Sequence, residues 1–259
     1  MEIRRAEPAE RQELLDAVNR SFSTPKRQRD FEVEVPHVWT DDRVTDHWIC
    51  VKEGRIVGVI GCYPFTVRVA GVDFRTAGIG QVSTLPEARG QGVMSALLER
   101  VTTELDGGEY DFAWLWGDRL RYGRHGWTWG GVTYRCETFA RYLPDPPDLA
   151  EVRLLNEPDE LDEIYQVASA APYAVGYSRE ELRRVLTIPK THVACYGQTW
   201  AVYEEDSDGM TVLLADGDPD EIALLLAGLA RAAEDTGEKW KVTTLTGPYD
   251  SPLGRASAE

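Results

Sequence analysis

The sequence predicts an α+β fold, because a helical pattern near the N-terminus precedes a run of antiparallel strands and a glycine-rich turn that opens a second helix. Residues 8–22 place their apolar side chains on one helical face. Those side chains belong to Leu14, Leu15, Val18 and Phe22. Strand-like segments then occupy most of residues 48–82, with turn signals at Gly54 and Gly71. Since short turns join neighbouring antiparallel strands, these segments predict a meander.

A second amphipathic helix follows the turn Arg89–Gly92 and ends at the stop signal Gly107-Gly108. Its apolar face consists of Val93, Ala96, Leu97, Val101 and Leu105. Residues 110–116 have the pattern of a buried strand, and a short helix containing Tyr122 leads to a last strand over residues 132–139.

A proline-rich stretch over residues 143–148 predicts a boundary between two domains, residues 1–145 and residues 146–259. The second, smaller domain has helical patterns followed by strands, a Leu/Ala-rich helix and a final strand. The predicted ranges are helices at 158–170, 178–187 and 219–234, two or three strands within 192–216, and a strand at 241–245. This order loosely echoes that of the first domain.

The charge is uneven along the chain. The net charge is −16, and residues 146–259 carry 22 acidic residues against 9 basic ones. Because phosphate is repelled by such a surface, nucleic acid is excluded as a partner. The acidic second half is compatible with a cationic substrate, and equally with a solvated surface that aids solubility.

Neither a membrane span nor a metal site is expected. No apolar run reaches the roughly 18 to 20 residues that cross a bilayer, and the first residues lack a secretion signal, so we expect a cytoplasmic protein with no membrane partner. The cysteines and histidines show no ligand spacing, which predicts reduced thiols and no metal. They are Cys50, Cys62, Cys136, Cys195, His37, His47, His125 and His192.

The turn before the second helix predicts an anion site. Backbone N–H groups from Gly90 to Ser95 would be unpaired at the start of that helix, and the helix dipole favours negative charge there. Gly90 and Gly92 allow phosphates to approach the backbone, and Arg89 adds a positive charge. The dinucleotide-binding fingerprint and the P-loop are both excluded, because the required glycine spacing and a Gly-Lys-Ser/Thr sequence are absent.

A second motif, Tyr122-Gly123-Arg124-His125-Gly126-Trp127, lies about 30 residues after Arg89-Gly90-Gln91-Gly92-Val93-Met94. Together the two motifs resemble the GNAT superfamily of N-acetyltransferases across residues 3–140. Met94 stands where that family usually has Gly or Ala, and Trp127 where it usually has Phe. A bulky residue at position 94 is similar to the enhanced-intracellular-survival branch, in which a catalytic GNAT domain precedes a degenerate one.

The resemblance implies a GNAT fold with a mixed, mostly antiparallel central sheet, and acetyl-CoA as co-substrate without a metal. It implies that residues 1–145 are catalytic and residues 146–259 are a degenerate GNAT-like domain. Tyr122 matches the general acid that protonates the departing thiolate, a role suited to a group with a pKa near 10. The cofactor-binding residues carried over are Val82, Ser83 and Thr84 for the pantetheine arm, Arg89, Gly90, Gln91, Gly92, Val93, Met94 and Ser95 for the pyrophosphate, and Gly117 and Asp118 beside the cofactor groove.

Several points stay open in the sequence. The general base is not readable, and Asp118, His125 and Glu137 are candidates by sequence proximity only. Four tryptophans in two strand-like segments (Trp114, Trp116, Trp127 and Trp129) fit either core packing or an acceptor pocket. The leading interpretation is direct acetyl transfer to an amine or lysine-type acceptor. A non-catalytic acyl-CoA-binding regulatory module and an enzyme using a longer acyl group are the alternatives, and a homo-oligomer is compatible with the sequence.

Overall fold

The computed structural model describes residues 1–131, 134–156, 158–171, 173–206, 209–233 and 241–246, together with residues 253 and 256. The chain forms two compact units. The first contains Met1–Trp129 and Ala168–Val185, and the second contains Gly130–Val167 and Leu186–Glu259.

The elements up to the second motif are β1 Glu2–Arg5, α1 Arg11–Phe22, α2 Phe31–Glu34, β2 His47–Lys52, β3 Arg55–Val69, β4 Val72–Thr84, α3 Val93–Leu105, β5 Phe112–Leu115 and α4 Arg119–Tyr122. The elements that follow are β6 Tyr134–Phe139, β7 Arg153–Leu154, α5 Pro158–Ala170, β8 Ala174–Val175, α6 Arg179–Leu186, β9 Thr191–Tyr196, β10 Thr199–Asp206, β11 Gly209–Asp216, α7 Pro219–Ala232 and β12 Lys241–Thr246. Short 3₁₀ turns precede α1, β2 and α3. The helices and strands expected from the sequence therefore form close to their predicted bounds.

The sheet of the first unit runs β1-β2-β3-β4-β5, and β8 pairs with β3 beside that path. Its strands are antiparallel except for β4 and β5, which are parallel. The predicted meander is confirmed at both tight turns. Glu53-Gly54 and Ala70-Gly71 have positive φ at both residues, as the two-residue hairpin turns that match strand twist require. The mixed α+β architecture predicted from the sequence is thus present.

The strand β3 is longer than its sequence suggests. The predicted strand segments around residues 56–60 and 65–69 form one strand that passes through Gly61 and Pro64 without a break. A Cβ atom at position 61 would lie 2.2 Å from the Tyr63 hydroxyl oxygen, so glycine there lets the Tyr63 ring lie over the strand. Gly61 therefore leaves room for the Tyr63 side chain and does not form a turn.

Close packing fixes α3 on this sheet. Val93, Leu97, Leu98 and Val101 of α3 are buried in the core of the first unit. A Cβ atom at position 58 of β3 would lie 2.4 Å from Val93 Cγ1. The helix start is therefore held against the strand at a contact that only glycine allows.

The segment 168–185 joins the first unit, although it lies far along the chain. Its strand β8 pairs antiparallel with the end of β3, at Val67 and Arg68. The Arg43 guanidinium forms an ion pair with the Glu181 carboxylate, and both side chains are largely buried. These contacts tie the segment to the first sheet.

The second unit is built on a sheet of order β6-β12-β11-β10-β9-β7, with α7 buried against it. The strand β6 pairs with β12 over Tyr134–Phe139, so the described part of the predicted strand 132–139 belongs to this second sheet. Residues 132 and 133 of that predicted strand lie outside the described residues. The compact units consequently divide the chain differently from the predicted boundary at residue 145, because strand pairing assigns β6 to one sheet and β8 to the other.

Across the described ranges, no helix combines the length and apolarity that a membrane span requires. The same part of the chain contains no cluster of three or more histidine, cysteine or acidic side chains with the geometry of a metal site. All four cysteines are free.

Candidate active site

A groove opens in the first sheet where β4 and β5 separate. The two strands pair only from Thr76–Phe112 to Ile79–Leu115. Beyond that point β4 continues to Thr84, whereas β5 ends. The backbone edge of β4 that faces the groove therefore lacks a neighbouring strand after residue 79.

The edge of β4 is reshaped by a β-bulge at the start of this groove. Ile60 of β3 faces two residues of β4, Gln81 and Val82, since Val59 pairs with Ser83 and Gly61 with Gly80. Gln81 has φ +47°, in the left-handed region that non-glycine residues seldom adopt. A bulge bends the strand and redirects the side chain of the extra residue, here Gln81.

Two polar groups beyond the bulge lack partners. The hydroxyl oxygens of Ser83 and Thr84 are buried and make no hydrogen bond among the described residues. An unsatisfied buried hydroxyl costs free energy, so a ligand that bonds to it would gain affinity. Both residues belong to the stretch predicted to bind a pantetheine arm.

The turn between β4 and α3 forms an open cradle. Gly90 and Gly92 have φ of +74° and +77°, and a Cβ atom at either position would meet nothing within 4 Å. Gly92 is the N-cap of α3, no side chain caps the helix, and its first turn contains no acidic residue. The first N–H groups of the helix, at Val93, Met94 and Ser95, are left without an intrahelical acceptor. Such a terminus attracts an anion.

Positive charge surrounds the cradle. The Arg89 guanidinium donates to the carbonyl oxygen of Thr84 at 3.3 Å. The Lys52 ammonium, at the end of β2, donates to Gln91 Oε1 at 2.6 Å. Sequence reasoning missed Lys52, because β2 lies almost 40 residues before the turn and only the sheet brings them together. Its position at the end of a strand was the one available signal.

Tyr122 is held on the other side of the groove by Gly117. A Cβ atom at position 117 would lie 2.3 Å from Tyr122 Cε2, so the ring packs directly on the glycine backbone. Burial raises the pKa of Tyr122; the Arg121 charge opposes this and the Asp118 carboxylate reinforces it. The phenol therefore keeps its proton at neutral pH and can act only as a proton donor or hydrogen-bonding group.

The Asp118 side chain caps a helix. Its Oδ1 accepts a hydrogen bond from the Arg121 N–H at 2.9 Å and caps α4. Of the other candidate bases, Glu137 lies in β6 of the second unit, where it forms ion pairs with Arg135 and Lys241. His125 lies in the 3₁₀ turn after α4.

The four tryptophans of the two strand-like segments differ in environment. Trp127 packs against the first core, whereas Trp116 is 94% exposed and Trp129 is 73% exposed. The prediction that residues 110–116 form a buried strand is wrong. The strand β5 is the edge strand of the sheet, and its Phe112 and Trp114 side chains are more than 40% exposed. Core packing accounts for Trp127 only.

A buried chain of side chains ends at the bulge, and sequence reasoning missed it. The Tyr63 hydroxyl lies 2.8 Å from His47 Nε2 and forms a hydrogen bond with the Gln81 carboxamide. The His47 ring lies against that of Trp39 at a centroid distance of 4.8 Å. No sequence pattern connects these residues, because Trp39 comes from a loop and the other three come from three different strands.

The helix α7 of the second unit corresponds to α3, but its N-terminus is capped by a side chain. The meander β9-β10-β11, the helix α7 and the strand β12, parallel to β11, repeat the order of β2-β3-β4, α3 and β5. The Asp218 side chain, however, accepts hydrogen bonds from the first N–H groups of α7, and Asp220 and Glu221 add negative charge. An anionic ligand would be repelled there.

A cavity of about 720 Å³ lies elsewhere in the first unit. Carboxylates outnumber guanidinium groups in its lining, which consists of residues 11, 32, 36, 39–43, 178, 180, 181 and 184. None of the predicted site residues lines it, so the cavity is separate from the groove.

Comparison with known proteins agrees with this geometry. Residues 2–130 match a family model described as an acetyltransferase (GNAT) domain. No curated protein matches the sequence. The comparison thus identifies a GNAT acetyltransferase domain within residues 2–130.

Solved structures share the fold of the chain at 18% sequence identity. A conserved protein of Enterococcus faecalis, described as a probable N-acyltransferase, has a TM-score of 0.73, and 95% of this chain and 65% of that chain are covered. A GCN5-related N-acetyltransferase from Kribbella flavida has a TM-score of 0.70, with 96% and 64% covered. For Eis1 from Mycobacterium abscessus the TM-score is 0.67, with 98% and 68% covered. The chain therefore spans about two thirds of the length of the structures it resembles.

Proposed function

We propose that the protein transfers an acetyl group from acetyl-CoA to an amine. The observation that carries this proposal is the uncapped start of α3, where Gly90 and Gly92 leave an open cradle beside the groove. A pyrophosphate fits this place, since the helix dipole and the free N–H groups stabilise negative charge. The charges of Arg89 and Lys52 add to that attraction.

The residues of the cradle and those of the groove bind different parts of the cofactor. The pyrophosphate binds to the turn and helix start, which comprise Arg89, Gly90, Gln91, Gly92, Val93, Met94 and Ser95. The pantetheine arm lies along the free edge of β4 at Val82, Ser83 and Thr84, where pairing with β5 has ended. Gly117 and Asp118 border the groove on the side of β5.

Tyr122 is the general acid of this proposal. The amine nitrogen attacks the thioester carbon, a C–N bond forms and the C–S bond breaks. The phenol proton passes to the departing sulfur, and Tyr122 recovers a proton that the former amine releases through solvent. Because burial raises the pKa of Tyr122, the phenol is protonated when the thiolate leaves.

We also propose that the second unit is a degenerate GNAT-like domain, as in the enhanced-intracellular-survival branch. The repeated order of meander, helix and parallel strand supports a common origin of the two sheets. The Asp218 cap and the acidic first turn of α7 support the loss of phosphate binding. On this proposal only the first unit is catalytic. The candidate acceptors are small amines, polyamines, aminoglycosides and protein lysines.

Calorimetric titration with acetyl-CoA, with NADH and ATP as controls, tests the cofactor. Release of free thiol in the presence of a panel of amines then tests the reaction. Tyr122→Phe keeps the ring on Gly117 and removes only the hydroxyl group that donates the proton, so we expect unchanged acetyl-CoA affinity and a turnover lower by about 10²- to 10⁴-fold.

Tyr110→Phe is the matched control, because Tyr110 is a partly buried tyrosine of the same unit, and it should keep full turnover. Loss of turnover in both variants, or in neither, would refute the role of Tyr122. Binding of acetyl-CoA without thiol release for any amine would favour the non-catalytic module. Faster thiol release from acyl-CoA with a longer chain would favour an enzyme that transfers a longer acyl group.

A further inference from the structure

The buried chain His47–Tyr63–Gln81 is not explained by cofactor binding. His47 and Tyr63 are at least 96% buried, and the Tyr63 ring packs over Gly61 and Gly80. Gln81 is only partly buried and sits at the bulge with a strained φ. A buried polar chain that ends on a strained, partly exposed residue is expected at a functional site.

The available donors and acceptors determine which group donates in each hydrogen bond of this buried chain. His47 Nδ1 lies 3.2 Å from the carbonyl oxygens of Arg43 and Val44, so Nδ1 must carry a proton. Burial lowers the pKa of His47 to about 4, hence the ring is neutral and Nε2 is an acceptor. The Tyr63 hydroxyl, with its single proton, therefore donates to His47 Nε2 at 2.8 Å.

The same donors and acceptors also orient the Gln81 carboxamide. Since the Tyr63 proton is used by His47, the Tyr63 oxygen can only accept from Gln81, and only the amide nitrogen can donate. The structure has Gln81 Oε1 beside the Tyr63 hydroxyl. A rotation of the carboxamide by 180°, which leaves its heavy-atom outline unchanged, brings Nε2 to that position and satisfies the hydrogen bonds of all three side chains. The amide oxygen then occupies the other position.

That second position is accessible to solvent. The other carboxamide atom of Gln81 has no hydrogen-bond partner within the described residues, and it is absent from the buried unpartnered atoms, so solvent reaches it. Gln81 and Gly117 each lie two residues beyond the last pair of β4 and β5, Ile79–Leu115. Because Tyr122 packs on Gly117, Gln81 and the proposed general acid are attached at corresponding positions along the two separating chain segments.

We infer that Gln81 binds the acceptor, its amide oxygen accepting a hydrogen bond from the N–H of the attacking amine, while Tyr63 and His47 hold that amide in place. The inference rests on the proposed acetyl transfer.

Nuclear magnetic resonance of the imidazole nitrogens in the full-length protein tests the orientation without activity. We expect His47 to carry its proton on Nδ1, with Nε2 unprotonated. A proton on Nε2 would reverse the hydrogen bond to Tyr63, turn the amide nitrogen of Gln81 to the groove and overturn the inference.

Kinetics test the contact with the acceptor. Gln81→Met should raise the KM of a primary amine about tenfold, as expected for one lost hydrogen bond, and leave the Kd of acetyl-CoA unchanged. Tyr63→Phe, which releases the amide, should raise the amine KM by a smaller factor.

Thr76→Val is the matched control. Thr76 is a buried residue of β4 whose hydroxyl donates to the Phe65 carbonyl at 3.1 Å, so this variant also loses one buried hydrogen bond. It should lower stability and leave the amine KM unchanged. An amine KM that is the same in Gln81→Met and the wild type, with acetyl-CoA bound and thiol released, would refute the inference alone. Absence of acetyl-CoA binding to the wild type would overturn the proposed function and the inference together.

Discussion

Buried His47 should make the first unit sensitive to acid. Burial, with a smaller contribution from the Arg5 charge, lowers the pKa of His47 from 6.5 to about 4, against the opposing effect of the two carbonyl acceptors. In the unfolded chain the same imidazole binds a proton near pH 6.5. Between pH 6.5 and about 4 the unfolded state therefore binds one more proton than the folded state.

The magnitude follows from linkage. Where the unfolded state binds more protons, stability rises with pH, at about 1.4 kcal/mol per pH unit for one group. The contribution of His47 is thus fully present above pH 6.5 and is lost as the pH falls toward 4. Its total is on the order of 3 kcal/mol, a large part of the roughly 5 to 15 kcal/mol that stabilises a typical domain.

Urea unfolding of the wild type and His47→Gln at pH 4.5, 5.5, 6.5 and 7.5 isolates this contribution. Glutamine keeps an acceptor for the Tyr63 hydroxyl and does not titrate, and all other groups cancel in the difference. Tryptophan fluorescence reports mainly the first unit, since six of the eight tryptophans lie in residues 1–129. The stability of the wild type should fall relative to the variant by about 1.4 kcal/mol per pH unit below pH 6.5. A difference that does not change with pH would refute the reasoning, because His47 would then titrate normally.

Two glycine positions give further predictions, each with a glycine of matched geometry. Gly92→Ala places a side chain at φ +77° in the cradle and should weaken acetyl-CoA binding at least about tenfold in titration calorimetry. Gly54→Ala has the same open space at φ +74°, so both variants should lose about 1 kcal/mol of unfolding free energy while only the first loses affinity; equal affinities would contradict the cradle. Gly117→Ala would bring a Cβ atom to 2.3 Å from the Tyr122 ring, displacing it and lowering turnover on the order of 100-fold in the thiol-release assay. Gly123→Ala, with nothing within 4 Å, should keep wild-type turnover, and a similar loss in both would point to folding instead of ring position.

The sequence by itself determined the features that depend on neighbours along the chain. The glycines at 90 and 92, the apolar face of α3 and the hairpin turn at Gly54 each follow from a local rule of φ, helical period or turn type. The same rules predicted most helix and strand bounds and the α+β class. The two motifs that resemble GNAT proteins are likewise continuous stretches, and for that reason they could be read without a structure. The roles assigned to the individual residues of the motifs stay predictions.

Only the tertiary structure decided which strands share a sheet and which side chains meet. The assignment of β6 to the second sheet and of β8 to the first depends on hydrogen bonds between residues more than 100 positions apart. The position of Lys52 beside Gln91 depends on the strand order of the first sheet. The chain from His47 to Gln81 needs the bulge in β4, whose register shift appears only when β3 and β4 are paired. Such contacts arise from long-range pairing and packing, which no local periodicity encodes.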